Sequence, residues 1–186
     1  MDTRPTLETE RLLLRPFCAE DADTVAGYAG AEEVSATTLN IPHPYTVAMA
    51  RDWISRHGEE FAAGRSLCLA LTLKSRGPRA VIGAVSLGRD AGETSAELGY
   101  WLGLPFWSCG YMTEAARALI DWSFTHWGLT RIHSHHLARN PASGHVMEKA
   151  GMRRIESRPV TWKDGRREEA VFYELNKPDG TVSRHG

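Results

Sequence analysis

Three apolar runs in the middle of the chain constrain the fold more than any other feature. Residues 67–73 and 80–87 are apolar and contain β-branched side chains, residues 96–102 are apolar apart from Glu97, and short turn sequences with Gly, Pro or Asp separate the three runs. Runs of this length between turn signals predict strands, here an antiparallel meander. Residues 113–127 follow with the apolar period of a helix, and Gly128 ends it. A helix this apolar must pack on the sheet.

The flanking segments complete a mixed α/β domain of about seven strands and about four helices. The other predicted elements are a strand over residues 11–15, a helix opening at 20–21, a helix from Thr46 to about Gly64, a strand over 132–137, a helix over 142–150, and strands over 152–162 and 168–175. Asp164-Gly165, between the last two strands, is a strong hairpin signal. We expect one domain over residues 1–176 and a polar tail over residues 177–186.

Composition excludes several classes of protein. The 186 residues fit one domain, and 22 Lys and Arg against 23 Asp and Glu leave a formal charge of −1, whereas nucleic-acid-binding domains are usually strongly basic. No apolar stretch is long enough for a membrane span or a signal peptide. Cys18, Cys68 and Cys109 lack the paired spacing of a disulfide framework or a zinc site. We expect a cytoplasmic protein that binds neither nucleic acid nor membrane.

The segment over residues 99–115 joins a strand to a helix through a tight loop. A helix amino terminus exposes unpaired N–H groups and the positive end of the helix dipole, so it can hold a pyrophosphate without a lysine. Gly110 would let the backbone approach the phosphate. The alternative is purely structural: Ser108 or Thr113 caps the helix and Gly110 serves the turn. Spacing alone leaves both interpretations open.

Four ordered motifs resemble the GCN5-related N-acetyltransferases. They are Leu-Glu-Thr-Glu-Arg-Leu-Leu-Leu-Arg-Pro at residues 7–16, Glu-Leu-Gly-Tyr-Trp-Leu at 97–102, Gly-Tyr-Met-Thr-Glu-Ala at 110–115, and the segment from Asn140 to Met152. In order and spacing they are similar to the branch that acetylates the amino termini of ribosomal proteins. The resemblance implies transfer of acetyl from acetyl-CoA to a primary amine, by direct attack in a ternary complex. The acceptor would be a protein amino terminus or a small-molecule amine.

The same resemblance places acetyl-CoA where two parallel strands, residues 96–102 and 131–137, splay apart. It implies that the backbone of Trp101 and Leu102 binds the pantetheine arm and that Asn140 faces the cofactor. The backbone amides that would hold the pyrophosphate belong to Ser108, Cys109, Gly110, Tyr111, Met112 and Thr113. The family usually has a glycine and a basic residue or glutamine just before the Gly110 position, where this chain has Ser108 and Cys109.

Glu97 is the candidate general base. An amine must lose its proton before it attacks, and a carboxylate on the splayed strand could take that proton directly or through one water. Alternation along the strand could instead point Glu97 outward as a solvated or ion-paired residue. Both possibilities stand on the sequence alone.

Ser143 is the candidate proton donor to the departing CoA thiolate, because the resemblance places it at the start of the helix after Asn140. Its alternative role is a capping serine in the first helical turn. Tyr173, on the last predicted strand, is a second candidate donor, although aromatic residues on strands usually belong to the core.

The resemblance implies that the first two helices and the proline-broken loop between them form a wall of the acceptor site. The residues concerned are Tyr28, Asn40, His43, Tyr45 and Trp53, and their alternative role is core packing around a rigid turn.

His133, His135 and His136 lack a third ligand at sensible spacing, so we expect no metal. Two other function classes stay open: an acyl-CoA-binding sensor without turnover, and a cysteine-dependent enzyme that uses Cys109. A homodimer is also compatible with the apolar final hairpin.

Overall fold

The computed structural model describes residues 3–178, which form one eight-stranded sheet with helices on both faces. The strands are β1 (Leu7–Glu8), β2 (Leu12–Pro16), β3 (Ser66–Leu73), β4 (Val81–Arg89), β5 (Ser95–Leu102), β6 (Arg131–Leu137), β7 (Arg153–Thr161) and β8 (Arg167–Asn176). The helices are α1 (Ala22–Ala29), α2 (Glu32–Ser35), α3 (Val47–Ala62), α4 (Tyr111–His126) and α5 (Pro141–Lys149). The order across the sheet is β1-β2-β3-β4-β5-β6-β8-β7.

All neighbouring strands are antiparallel except β5 and β6. The parallel pair is short, with the registers Ser95↔Arg131, Ala96↔Ile132 and Glu97↔His133. Beyond these pairs β5 continues beside β4 and β6 continues beside β8, so the two strands diverge. The prediction of a mostly antiparallel sheet splayed at one parallel pair is confirmed.

The counts of elements differ slightly from the prediction, in both cases because a short element carries no periodic signal. The eighth strand is β1, whose two residues pair as Leu7↔Leu14 and Glu8↔Leu13. The fifth helix is the single turn α2, which is too short to show the period of a helix. Helix α4 also begins two residues earlier than expected, because Gly110 in the left-handed conformation starts it.

Alternation along the strands sends side chains to two apolar clusters, one on each face of the sheet. On β3, Leu67 and Leu69 pack with residues of α4 and α5, whereas Cys68 and Ala70 pack with residues of α1 and α3. Helix α3 begins as predicted at Thr46, whose side chain accepts a hydrogen bond from the Met49 amide at 3.2 Å. These packed helices fix the two strands that splay apart.

At the carboxyl end, Lys177 follows β8 directly. Its amide donates to the Thr130 carbonyl at 2.8 Å and its Nζ donates to the Phe124 carbonyl at 2.7 Å. The rest of the predicted tail, residues 179–186, lies outside the described residues. Across residues 3–178, no helix combines the length and the apolar character that a membrane crossing requires.

Candidate active site

Two cavities meet where β5 and β6 diverge. The larger cavity has a volume of about 620 Å³ and lies on the face covered by α1 and α3, and the smaller cavity has about 380 Å³ and lies toward α4 and α5. Five residues line both: Thr37, Thr38, Tyr100, Trp101 and Ser143. A ligand in one cavity would therefore sit next to a ligand in the other.

Hydroxyl groups span the split where the backbone ladder ends. The Ser134 hydroxyl donates to the Leu98 carbonyl at 2.7 Å. Farther along, the Tyr100 hydroxyl donates to the Ser143 carbonyl at 3.0 Å and lies 2.8 Å from Ser143 Oγ. Burial raises the pKa of Tyr100, so its phenol remains protonated at neutral pH. Tyr100 is a site residue that sequence reasoning missed, because a strand tyrosine looks like a core residue.

The amino terminus of α4 lines the smaller cavity. Gly110 precedes it with φ 77°, and Ser108 also has a positive φ of 60°. The first intrahelical hydrogen bond runs from the Glu114 amide to the Gly110 carbonyl at 3.1 Å, so the amides of residues 111–113 precede the helical ladder. The predicted phosphate-loop residues that line this cavity are Ser108, Gly110, Tyr111, Met112 and Thr113. Cys109 does not line it.

A cation from a distant part of the chain supports this loop. Arg11 donates from Nη1 to the Cys109 carbonyl at 2.9 Å and from Nε to Glu114 Oε2 at 2.7 Å, and its guanidinium lies 4.5 Å from the centroid of the Tyr111 ring. Burial raises the pKa of Glu114, but hydrogen bonds from Thr9 and Arg11 outweigh it and leave the pKa lowered. Arg11 therefore places a basic side chain beside the loop before α4, where the loop sequence itself has Ser108 and Cys109.

Glu97 and His135 face each other across the opening of the split. Both line the larger cavity, and Glu97 Oε1 lies 3.1 Å from His135 Nδ1. The imidazole holds the pKa of Glu97 below its ordinary value against the opposing effect of burial. The His135 ring is stacked on Phe172, with 5.1 Å between centroids. The candidate base is thus an ion-paired residue that also borders the cavity.

The other two histidines of β6 have separate partners. His133 Nε2 lies 2.9 Å from Asp90 Oδ2, where β5 and β6 are still paired. His136 is buried, and its Nδ1 lies 2.8 Å from the Leu137 carbonyl oxygen. No group of three or more His, Cys, Asp or Glu side chains within residues 3–178 has an arrangement that could hold a metal ion.

The two candidate proton donors are in different surroundings. Ser143 lies in the first turn of α5 and borders both cavities, and Asn140, which precedes that helix, lines the smaller one. Tyr173 is buried on β8 and lines neither cavity. Its hydroxyl donates to Glu148 Oε1 at 3.1 Å, and burial raises its pKa. Of the two, only Ser143 reaches the split.

Some residues of the predicted acceptor wall line the larger cavity and others do not. Asn40, Tyr45 and Trp53 line the larger cavity. Tyr28 instead packs edge-on against Phe106 at 5.6 Å between centroids, and His43 Nδ1 lies 3.0 Å from the Gly30 carbonyl oxygen, so neither lines the cavity.

Lys163, at the turn between β7 and β8, holds the loop over residues 36–41 against that hairpin. Its three N–H groups lie within hydrogen-bond distance of four oxygens: the Ser35 carbonyl at 2.5 Å, the Ile41 carbonyl at 2.7 Å, the Ser35 hydroxyl at 3.0 Å and the Thr38 carbonyl at 3.2 Å. Burial lowers the pKa of Lys163. Sequence reasoning read this segment only as a turn, because the carbonyls that Lys163 binds are more than a hundred residues away.

Known proteins that are similar to this chain are acetyltransferases. The family model for the acetyltransferase (GNAT) domain matches residues 11–153. An uncharacterized N-acetyltransferase, p20 of Bacillus licheniformis, is 37% identical over 129 residues, which are 68% of this chain and 70% of that protein.

Solved structures share the fold at lower identity. The ribosomal-protein-S5-alanine acetyltransferase of Vibrio fischeri superposes with a TM-score of 0.81 at 20% identity, covering 94% of this chain and 98% of that one. RimJ of Mycobacterium smegmatis, in complex with CoA-disulfide, gives a TM-score of 0.80 at 20% identity, covering 94% and 88%. On the family match and the curated relative, the chain belongs to the GCN5-related N-acetyltransferase (GNAT) family of acetyltransferases.

Proposed function

We propose that the protein transfers the acetyl group of acetyl-CoA to a primary amine, by direct attack in a ternary complex. The observation that carries this proposal is the meeting of two cavities at the split, with a helix amino terminus on one side and the Glu97–His135 pair on the other. The first suits an anionic cofactor and the second suits a cationic amine.

The residues around the smaller cavity fit acetyl-CoA. At Gly110 a Cβ would project at the start of α4, where the open amides can bind a pyrophosphate. Beyond Glu97, β5 has no partner strand on its β6 side, so the Leu102 amide can bind the extended pantetheine arm, while the Leu102 carbonyl accepts from Trp107 Nε1 at 2.6 Å. The backbone groups of Trp101 alternate toward β4, as do those of Gly103, whose amide donates to the Ile82 carbonyl, so the predicted role of Trp101 is limited to its side chain at the cavity. The solved structure of Mycobacterium smegmatis RimJ with CoA-disulfide supports the same use of the fold.

Bound acetyl-CoA would supply the thioester carbonyl to the junction of the cavities. The nitrogen lone pair of a neutral amine forms the new C–N bond, the C–S bond breaks, and sulfur keeps the bonding electrons. The base at the Glu97–His135 pair takes one proton from the ammonium form of the acceptor before the attack. The nitrogen then gives a second proton to Ser143 Oγ while the Ser143 hydroxyl gives its own to the sulfur, so the serine ends protonated. The chain itself binds both substrates side by side, which supplies the entropic part of catalysis.

An acceptor screen with detection of the free CoA thiol tests this function. The panel contains peptides that copy ribosomal-protein amino termini, which the names of the structural neighbours suggest, together with small aliphatic and aromatic amines. Thiol release with one acceptor class supports the proposal and identifies the substrate. Thermal stabilisation by acetyl-CoA without thiol release for any amine would favour a sensor, and loss of activity on alkylation of Cys109 without competition by CoA would favour cysteine chemistry.

Two further predictions about the protein in the cell remain proposals: a cytoplasmic location and a homodimer. Strand β7 forms one edge of the sheet, is exposed along most of its length, and carries the exposed Ile155. Unpaired backbone groups at a sheet edge can pair with a second copy. The molar mass from light scattering tests the dimer.

A further inference from the structure

Two histidine–carboxylate pairs lie along the same face of β6, one on each side of the point where the strands separate. His133 faces Asp90 at 2.9 Å where β5 and β6 are still hydrogen-bonded, and His135 faces Glu97 at 3.1 Å where they have diverged. The pairs are two residues apart, so their rings point to the same side of the sheet. Only His135 and Glu97 line the larger cavity.

The orientation of the His135 ring leaves one nitrogen open. Nδ1 is the atom that faces Glu97, so Nε2 lies on the other side of the ring. Among residues 3–178, no group forms a hydrogen bond with Nε2. Stacking on Phe172 at an interplanar angle of 20° holds the plane of the ring, and the Arg158 guanidinium packs 3.9 Å from the centroid of Phe172. The ring is thus fixed on one side by a carboxylate and on its face by an aromatic residue.

A carboxylate 3.1 Å from Nδ1 favours the tautomer that carries its proton on Nδ1, which leaves the lone pair on Nε2. Serine hydrolases use this division of roles, with the carboxylate orienting the ring and the opposite nitrogen acting as the base. The lowered pKa of Glu97, caused first by its contact with His135, also makes this carboxylate a weak base toward an ammonium group.

We propose that His135 is the general base of the transfer reaction, with Nε2 accepting the proton of the attacking amine while Glu97 orients the ring through Nδ1. This inference rests on the proposed function and specifies its proton acceptor. In the reaction, an N–H bond of the acceptor ammonium breaks first, its proton ends on Nε2, and the freed lone pair forms the C–N bond. The nitrogen then loses a second proton to Ser143 Oγ as the Ser143 hydroxyl protonates the sulfur, so both protons are accounted for and Ser143 is restored.

The decisive variant is His135→Asn. Asparagine can present an amide N–H to Glu97 in place of Nδ1–H but has no basic nitrogen at the position of Nε2. We expect kcat/KM for an aliphatic amine to fall by roughly 10²–10⁴-fold, with the Kd of acetyl-CoA unchanged. The loss should shrink for an acceptor of low pKa, such as an aniline, which is already neutral.

The matched control is His133→Asn, which makes the same substitution in the neighbouring pair outside the cavity. It should keep wild-type kcat/KM. A His135→Asn enzyme as active as wild type would mean that Glu97 takes the proton itself and would overturn the proposal. So would an equal loss in both variants, or a loss of the same size for every acceptor, because each indicates damage to β6 rather than loss of a base.

If His135→Asn melts below the assay temperature, His135→Gln replaces it, since glutamine also lacks a basic nitrogen. The proposed function fails separately from this inference. A wild-type protein that releases no CoA thiol with any amine refutes the function, whereas an active wild type with an equally active His135 variant refutes only the role of His135.

Discussion

Replacing Gly110 by valine separates the proposed cofactor site from the fold. Gly110 has φ 77° and ψ 1°, and a Cβ built there would lie 3.4 Å from Arg11 Nη2, an ordinary contact. The cost to stability therefore comes from the left-handed backbone, about 1–2 kcal/mol for a residue with a Cβ. For a chain of this length the melting temperature should fall by roughly 2–8 °C, and the protein should remain folded.

The effect on cofactor binding should be larger. At a CoA concentration of about 100 times the wild-type Kd, binding stabilises the native state by about 2.7 kcal/mol, which raises the melting temperature by roughly 5–11 °C. A branched side chain at the start of α4 would push the pyrophosphate away from the amides. If affinity falls by about a hundredfold, the same CoA concentration gives only about 0.4 kcal/mol, or roughly 1–2 °C.

Thermal melting with and without CoA measures both quantities. The matched control is Gly128→Val at the other end of α4, where φ is 67° and a Cβ would meet nothing within 4 Å. It should lose comparable stability but keep the full CoA shift. A Gly110→Val protein that CoA stabilises as much as wild type would show that the pyrophosphate binds elsewhere.

Three other substitutions test the remaining parts of the site and the core. Ser143→Ala should lower kcat by about 10²-fold without changing the Kd of acetyl-CoA; an unchanged kcat in steady-state assays would leave Ser143 as a structural residue. Lys163→Met should release residues 36–41, which would exchange amide hydrogens faster, and should raise the KM of the acceptor about tenfold, the equivalent of one charged hydrogen bond. Asp21→Asn should lower the free energy of unfolding by about 3 kcal/mol at pH 7, because it leaves the largely buried Arg15 without its carboxylate partner. Burial raises the pKa of Asp21, but hydrogen bonds from Arg15 and a backbone amide leave it lowered. In denaturation experiments the difference should therefore begin to shrink below about pH 4, where the unfolded-state carboxyl takes up its proton, and should be lost as the pH falls through the lower pKa of the folded state.

Most of the fold could be predicted because its signals are local. The Thr46 side chain caps α3, Gly128 follows α4 with a positive φ, and Asp164-Gly165 forms the turn before β8. Each of these depends on residues within one turn of the element it bounds, and apolar periodicity defines the elements between them. The split between β5 and β6 came only from the resemblance to a family, because no local pattern encodes where two parallel strands stop pairing.

The supporting contacts of the site could not be predicted, because they join residues far apart in sequence. Arg11 reaches the loop at Cys109, and Lys163 reaches carbonyls near Ser35, through long side chains whose targets are backbone oxygens. A backbone oxygen has no sequence signature, so these pairings appear only in three dimensions. The same limit applies to Tyr28, whose residue type suits a binding wall but which packs against Phe106 instead.

Successive side chains of β5 alternate between the two faces of the sheet, so one strand can contact both the proposed base and the proposed proton donor. Glu97 and Trp101 are odd-numbered and share one face of β5, where Glu97 meets His135, whereas Tyr100 is even-numbered, lies on the other face and meets Ser143 on α5. Through the split, Tyr100 and Ser143 also border the larger cavity. The proton acceptor and the proton donor therefore stand on opposite faces of the sheet, and only an opening between the strands lets both reach one substrate. If β5 and β6 stayed paired to their ends, the ladder would separate the two groups completely. We infer that the divergence after Glu97 is needed for the reaction as well as for cofactor binding, because it brings the base and the acid to the two sides of a single acetyl group.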